Sequence, residues 1–169
     1  SVLSLTRQNL PTLRREHKTR NLSSQGAYVL ADATTKRQVI LIATGSEVEI
    51  AMQAREMLEA DGIGTRVVSM PSTNEFDKQD KAYKDSIMLP TVHKVAIEAG
   101  VTDAWWKYVG LRGAVVGLDR FGESAPAGAL FKEFGFTPER IVEIAKGVLA
   151  GSVHGVVPTP HLHDGHQVR

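Results

Sequence analysis

The sequence has no cysteine, no long hydrophobic run and no marked excess of either charge among its 169 residues. Without cysteine, a disulfide framework and cysteine-based catalysis are excluded. Twenty lysines and arginines face nineteen aspartates and glutamates, so the net charge of +1 gives no global attraction for nucleic acid or an anionic membrane. No apolar run approaches the eighteen or so residues of a membrane span, and the chain does not open like a secretory signal. We therefore expect a cytoplasmic protein with neither nucleic acid nor membrane as partner.

Five short apolar runs rich in β-branched residues predict strands. They span residues 27–31, 39–44, 65–69, 93–98 and 114–118. The last four are almost continuously apolar, which is typical of parallel strands covered on both faces. The connection between the first two runs is shorter than the dozen or so residues of a parallel crossover, so the first strand should be antiparallel. These patterns predict an α/β protein, a three-layer α/β/α sandwich around a five-stranded mixed sheet with four parallel strands.

The helix after the second predicted strand has the strongest local signals. Thr44 with Glu47, and Ser46 with Glu49, each fit the spacing of a capping box ahead of an apolar helical face. Gly62 is placed to end this helix in a left-handed conformation. We therefore predict a helix that starts directly behind a buried strand.

Further helices follow from weaker patterns. The closing helix should begin at Thr137 and Pro138, a typical cap and first-turn proline. Shorter helices are predicted over 77–88, 103–108 and 125–134. Residues 151–169 show no periodic apolar face and are predicted to form a mobile tail.

Arg7 is the first candidate for ligand binding. It follows an apolar run and precedes the turn at Pro11, which predicts a position at the carboxyl end of a strand, where α/β folds gather ligand contacts. Its planar guanidinium can hold a phosphate through two parallel hydrogen bonds. A surface ion pair, or a stem that covers apolar surface, explains the same residue and stays open on spacing alone.

Thr44, Gly45 and Ser46 form the second candidate site. They follow a buried strand and open a helix, so backbone N–H groups and the positive end of the helix dipole could receive an anion. The segment lacks the glycine fingerprint of a dinucleotide site and the lysine of a P-loop. An ordinary capped helix, with the glycine easing a tight turn, is the commoner interpretation of such residues.

A third candidate, for a site or an interface, is the loop after the last predicted strand. It comprises Phe121, Gly122, Glu123 and Ser124. Glu123 suits an acid–base role or simple stabilisation by a helix dipole. Glu98, at the end of the fourth strand, presents the same choice and has no partner that the sequence reveals.

The aromatic cluster at Trp105, Trp106 and Tyr108 is expected to fill the core and to contribute to an oligomer contact, since no basic stripe suggests base stacking. The four histidines after residue 150 lie in the predicted tail. A flexible tract seldom preorganises a metal site, so we predict no specific metal binding there.

Eight segments, in this order and spacing, resemble the C-terminal region of the transketolase family. They are LTRQNLP, GAYVL, LIATGSEVEIA, RVVSMPST, FDKQD, KYVG, FGESAP and EFGFT. The resemblance covers residues 1 to about 150. It implies the end of a pyrimidine-binding domain and a linker over 1–24, a transketolase C-terminal domain over 25–150 and a tail over 151–169.

Transketolases are dimeric enzymes that use thiamine diphosphate with Mg²⁺ or Ca²⁺. They move a two-carbon ketol unit from a ketose phosphate to an aldose phosphate in the pentose phosphate pathway. For the complete protein the resemblance implies this activity, sugar phosphates as substrates and a homodimer, with Arg7 as the ligand of the sugar phosphate.

The resemblance assigns no catalytic residue to this chain. The family's metal-binding GDG sequence, and the glutamate that activates the cofactor, have no counterpart here. The cofactor and its metal are thus expected to bind the N-terminal and pyrimidine-binding domains, outside this chain. We expect neither cofactor binding nor turnover from the chain alone.

Two other functional classes remain open on the residues themselves. A stand-alone anion- or nucleotide-binding module would explain Thr44, Gly45 and Ser46. A purely architectural domain for dimer assembly would explain the aromatic cluster. Within the cofactor family, a dihydroxyacetone synthase or another ketol transferase would share the same residues.

Overall fold

The computed structural model describes residues 8–16, 19–119 and 127–158. Within them the chain builds one six-stranded sheet with the order β1-β3-β2-β4-β5-β6. The strands are β1 (Tyr28–Ala31), β2 (Val39–Ala43), β3 (Thr65–Ser69), β4 (His93–Ile97), β5 (Ala114–Val116) and β6 (Gly155–Val157). β1 is antiparallel to β3 and every other pair is parallel. The predicted mixed sheet with an antiparallel first strand is confirmed.

The last strand, β6, was not predicted. The sequence predicts five strands, whereas the described sheet has six. Residues 155–157 lie in the segment predicted as a mobile tail, but they pair with β5 in parallel, with Val116 opposite Val157. The backbone N–H of Gly155 also donates to the carbonyl of Gly113 at 3.0 Å. A three-residue run has no periodicity of its own, so its strand conformation depends on the neighbouring ladder.

Six α-helices and two short 3₁₀ turns connect the described strands. The helices are α1 (Glu47–Ala60), α2 (Thr73–Asp77), α3 (Lys81–Met88), α4 (Trp106–Val109), α5 (Ala127–Glu133) and α6 (Pro138–Ala150), and the 3₁₀ turns are Leu22–Gln25 and Asp103–Trp105. None of the helices in the described part of the chain combines the length and hydrophobicity of a membrane span.

Local capping explains where the helices begin and end. Thr137 accepts the N–H of Arg140 at the start of α6, and Gly62 has a φ of +76° just after α1, as the sequence predicts. The helix predicted over 77–88 begins four residues later, at Lys81, and a separate helix, α2, ends at Asp77. Asp80 separates the two, because its extended backbone and its side chain cap a new helix at Lys81.

Each face of the sheet has its own core. Alternate strand residues such as Leu41 and Ile97 pack beneath α1 and α6. The residues between them, such as Ile42 and Val68, pack beneath α2, α3 and α4. This alternation confirms the three-layer α/β/α sandwich.

The aromatic cluster belongs to the second of these cores. Trp105 and Tyr108 are buried, with their ring centroids 6.0 Å apart in an edge-on arrangement. The Tyr108 hydroxyl donates to Asp77 Oδ1 at 2.8 Å. The predicted core-filling role of these aromatics is confirmed, while the oligomer contact stays a prediction.

Candidate functional site

The carboxyl ends of the parallel strands β2, β3, β4 and β5 meet along one edge of the sheet, which we call the carboxyl edge. Residues Ala43, Ser69 and Ile97 are in register there, so the loops that follow them lie side by side. A cavity of about 420 Å³ opens among these loops, lined by Thr44, Ser72, Asn74, Glu98, Gly100 and Trp105 among others. In open α/β sheets ligands bind at this edge.

The turn from β2 into α1 contains the predicted anion-binding residues. Gly45 has a φ of +56°, a left-handed conformation that glycine adopts at low cost. Ser46 has helical dihedral angles and makes no side-chain cap, and its hydroxyl instead donates to Glu47 Oε2 at 3.1 Å. The carbonyl of Thr44, not its hydroxyl, accepts the N–H of Glu47. Both predicted capping boxes are therefore wrong; at Ser46 the reason is its helical backbone, because a capping side chain requires an extended one.

Glu47 is the first of two carboxyl groups beside this turn. The residue is only 5% exposed, at the first position of α1. Its carboxylate is hydrogen-bonded by its own backbone N–H and by that of Ala99, from the loop after β4. Burial raises the pKa of Glu47 above its ordinary value, against the effect of these hydrogen bonds. The N-terminus of α1 therefore already has a carboxyl group of its own.

Glu98 is the second carboxyl group, directly after β4. Its Oε2 atom is fully buried and has no hydrogen-bond partner among the described residues. Burial, followed by the nearby charge of Glu47, raises the pKa of Glu98 to about 7. Glu98 thus changes protonation state near neutral pH, which a glutamate in water does not.

The loop that holds Glu98 is tightly fixed. Asp119, after β5, accepts the backbone N–H and the hydroxyl of Thr102, both at 2.8 Å. A Cβ at Gly117 would lie 2.5 Å from Thr102 Cγ2, so only glycine fits there. A Cβ at Gly100 would lie 3.3 Å from Glu98 Oε1. The loop after β4 is thus anchored to the loop after β5, beside the cavity that Glu98 lines.

Chemically, this edge is acidic. Two neighbouring carboxyl groups whose pKa values are raised by burial suit proton transfer, or the binding of a cation or of hydroxyl groups. Negative charge on these carboxyl groups would repel an anion at Thr44, Gly45 and Ser46. The anion-binding role of these three residues stays a prediction. No group of three or more metal-ligating side chains comes together in residues 8–16, 19–119 and 127–158.

The other predicted site residues are not described by the structure. Arg7 lies outside the described residues, and so do Phe121, Gly122, Glu123 and Ser124. Of the candidates, the structure brings together the Thr44–Ser46 turn and Glu98. The sequence analysis missed the proximity of Glu47 to Glu98, since the two are fifty-one positions apart. The sequence feature that could have indicated this site is the position of Glu98, a carboxylate immediately after a buried strand.

Comparison with known proteins extends this description. A protein-family model described as the transketolase-like TK C-terminal domain matches residues 26–137. Transketolase 1 of Pasteurella multocida is 54% identical over 153 residues, which cover 88% of this chain and 23% of that protein. Transketolase 1 of Escherichia coli is 52% identical over 150 residues, with the same 88% and 23% coverage.

A solved structure has the same fold. The transketolase of Pichia stipitis in complex with sedoheptulose-7-phosphate superimposes with a TM-score of 0.70 and 41% sequence identity, over 76% of this chain and 18% of that chain. The present chain thus spans about a quarter of the length of the relatives that it matches. It belongs to the transketolase family, in which it corresponds to the C-terminal domain.

Proposed function

We propose that this chain is the C-terminal part of a transketolase, which transfers a two-carbon ketol unit from a ketose phosphate to an aldose phosphate. The observation that carries this proposal is the identity of about one residue in two to named transketolases over most of the chain. The sugar phosphate bound to the Pichia stipitis relative supports sugar phosphates as the substrate class. A cytoplasmic homodimer is the assembly that we propose for the complete enzyme.

The domain boundaries are part of the same proposal. We assign residues 25–150 to the C-terminal domain, in accord with the family match over 26–137. Residues 1–24 would then be the end of the pyrimidine-binding domain and its linker, and residues 151–169 a terminal segment whose strand β6 joins the sheet of the domain. Arg7 would belong to the pyrimidine-binding domain and not to the sandwich.

Arg7 is proposed to bind the phosphate of the sugar. A guanidinium pairs with a phosphate through two parallel hydrogen bonds, which fix both the distance and the orientation of the sugar. Binding energy far from the reacting bond can hold the sugar in line for carbon–carbon cleavage. The role is positioning and substrate selection.

Thiamine diphosphate and its Mg²⁺ or Ca²⁺ ion are proposed to bind outside this chain. The described residues do not fit that group, since no three metal-ligating side chains converge in them. The sequence also lacks the GDG motif of the family. When bound, the cofactor supplies the carbanion chemistry, and this chain contributes to the substrate end of the site.

Replacing Arg7 in the complete enzyme tests the assignment. Arg7→Ala should lower kcat/KM for phosphorylated acceptors. The loss should correspond to about 1.5 to 3 kcal/mol of transition-state stabilisation, the range for a hydrogen bond to a charged group. Arg7→Lys should recover part of the loss, because a lysine supplies the positive charge but not the two parallel hydrogen bonds of a guanidinium. Arg20→Ala, which removes an exposed arginine that contacts Gln25, is the matched control and should leave kcat/KM unchanged. An equal loss with non-phosphorylated acceptors would contradict the phosphate role.

The isolated chain provides a second test. Titration of the 169-residue chain with thiamine diphosphate and Mg²⁺ should show no saturable binding, and a ketol-transfer assay should show no turnover. Adding the separately expressed N-terminal and pyrimidine-binding domains should restore activity if the assignment is correct. Turnover by the chain alone would overturn it.

A further inference from the structure

A larger cavity lies at the opposite end of the strands, which we call the amino edge. It has a volume of about 740 Å³ and opens between α3 and α4, next to the start of β4. Its apolar lining comprises Met88, Pro90, Val92, Val109 and Leu111. Leu111 is 98% exposed, although it is a large hydrophobic side chain. The cavity therefore offers apolar surface to a ligand of moderate size.

Two buried cations lie on the face of the sheet that this cavity adjoins. Arg66 of β3 and Lys94 of β4 are both in register with Ile40 of β2, one on each side of it. They are 5% and 6% exposed, respectively. A buried charge is costly unless it is paired, so each of them requires compensation.

Arg66 has full compensation within the chain. Its Nε and Nη2 atoms each lie 3.0 Å from an oxygen of Asp32, in a bidentate ion pair. Its Nη1 donates to the carbonyls of Ser86 and Ile87 at 2.7 and 2.9 Å. The guanidinium is thus neutralised as well as hydrogen-bonded.

Lys94 has only partial compensation. Its ammonium group donates to the carbonyls of Val92 at 2.7 Å and Leu89 at 3.3 Å. It forms no ion pair with a described carboxylate, and one of its three N–H donors is left over. Burial, and then the positive charge of Arg112, lowers the pKa of Lys94. Backbone carbonyls therefore accept hydrogen bonds from the ammonium group, but no described carboxylate neutralises its charge.

Arg112 adds a second cation at the same place. Strand pairing sets Val95 against Ala114, so that Gly113 lies against the backbone of Lys94 and Arg112 comes just before it. The Arg112 side chain lines the cavity and makes no hydrogen bond or ion pair with any described residue. Two neighbouring cations without a carboxylate between them repel each other, which lowers the stability of the fold.

The acidic residues of this cavity are already engaged. Asp77 accepts from Lys107 and from the hydroxyl of Tyr108, and Asp85 pairs with Lys81 one helical turn away. These pairs leave three lysines and arginines of the lining without an ion pair to a described carboxylate: Lys94, Arg112, and Lys84, whose ammonium donates to the backbone carbonyl of Asp77 at 3.2 Å. The excess positive charge and the apolar wall occupy the same cavity.

We propose that the cavity at the amino edge binds a small organic oxyanion, a phosphate ester or a carboxylate, through Lys94 and Arg112. The third donor of Lys94 and the guanidinium of Arg112 would share the oxyanion, and the apolar part of the ligand would cover Val92 and Leu111. This site lies at the opposite end of the strands from the carboxyl edge, so it would act as a regulatory or accessory site.

The test uses the 169-residue chain and three probes: inorganic phosphate, phenyl phosphate and benzoate. In an NMR titration, phenyl phosphate should bind more tightly than inorganic phosphate because it also covers apolar surface. The shifted amides should be those of residues 92–94 and 110–113. Stronger binding of phenyl phosphate than of benzoate would identify a phosphate ester as the natural ligand, and the reverse order would identify a carboxylate.

Two variants probe the two cations separately. Arg112→Gln, at an exposed position, and Lys94→Met should each weaken phenyl phosphate binding about tenfold, as expected for one charged hydrogen bond. Lys36→Met removes an exposed lysine near the same edge but outside the cavity, and should leave binding unchanged. Equal weakening by all three variants, amide shifts confined to Thr44–Ser46, or no saturable binding at millimolar probe would overturn the proposal.

Discussion

The amino edge of the sheet holds two buried cations, Arg66 and Lys94, whereas the carboxyl edge holds two carboxyl groups, Glu47 and Glu98. At each edge one of the two charged groups has strong hydrogen-bond or ion-pair partners, and the other does not. Arg66 has the carboxylate of Asp32, and Glu47 has two backbone N–H groups. Lys94 has no carboxylate partner among residues 8–16, 19–119 and 127–158, and Glu98 has a buried oxygen without a described partner. The comparison separates charges that support the fold from charges that are available to a ligand or a proton.

The largest expected effect concerns the satisfied cation. Asp32→Ala removes the carboxylate that pairs with Arg66 in the described part of the chain, and should lower the free energy of unfolding, measured with urea, by about 2 to 3 kcal/mol. The loss should be smaller than for a fully buried pair, because the Asp32 side chain is 37% exposed. Arg37, and then Arg66, hold the pKa of Asp32 well below its usual range. This stabilisation is therefore present above the ordinary pKa of about 4 and is lost as the pH falls further.

The matched control for this prediction is Asp61→Ala. Asp61 pairs with Lys146 at 2.7 Å, but about half of each side chain is exposed. Surface pairs contribute little, so the change should stay within about 0.5 kcal/mol. If Asp61→Ala and Asp32→Ala cost the same, the Asp32–Arg66 pair stabilises the fold no more than a surface ion pair does.

The next effect is at the carboxyl edge. Glu98→Gln should raise the free energy of unfolding by about 1 to 2 kcal/mol at pH 8, because the amide keeps the shape of the side chain without its buried charge. The folded-state pKa of Glu98, about 7, is above that of the unfolded chain. The wild-type protein therefore loses stability as the pH rises from about 4 to 7, and the advantage of the variant should grow over that window.

Urea denaturation of both proteins between pH 4 and 8 measures this difference. Glu56→Gln, at an exposed position of α1, is the control and should show no such pH dependence. An advantage of Glu98→Gln that is constant with pH would point to packing and not to charge.

The smallest effect concerns the cation without a carboxylate. Lys94→Met should raise the free energy of unfolding by about 0.5 to 1 kcal/mol at pH 7, because it removes a buried charge that nothing in the described chain neutralises. The pKa of Lys94 is lowered, so the wild-type protein should gain stability as the pH rises from that lowered value toward 10.5, and the two proteins should converge. A loss of several kcal/mol in Lys94→Met would mean that the ammonium supports the fold as Arg66 does.

Much of the fold is encoded locally in the sequence. The five predicted strands are all present, since apolar runs such as 39–44 report burial on both faces. The antiparallel first strand follows from the length of its connection to β2. β6 was missed because three residues carry no period, and its formation depends on a partner forty residues earlier in the chain.

The candidate site was less predictable, because it depends on contacts between distant segments. The sequence marks Thr44, Gly45 and Ser46 as a turn, but not that Ser46 has helical dihedral angles or that an acidic pair surrounds the turn. Glu98 was recognisable by its position after a strand. The burial of its Oε2 atom depends on tertiary packing, which sequence spacing alone does not reveal.

The position of β6 has a consequence for synthesis of the protein. β5 receives its second neighbour only when residues 155–157 have left the ribosome, after the rest of the described sheet has been made. Until then a short apolar strand exposes unpaired backbone groups, which favour pairing with another nascent chain. Truncation before Gly155 would make that transient edge permanent, so the solubility of shortened chains should fall sharply at this position.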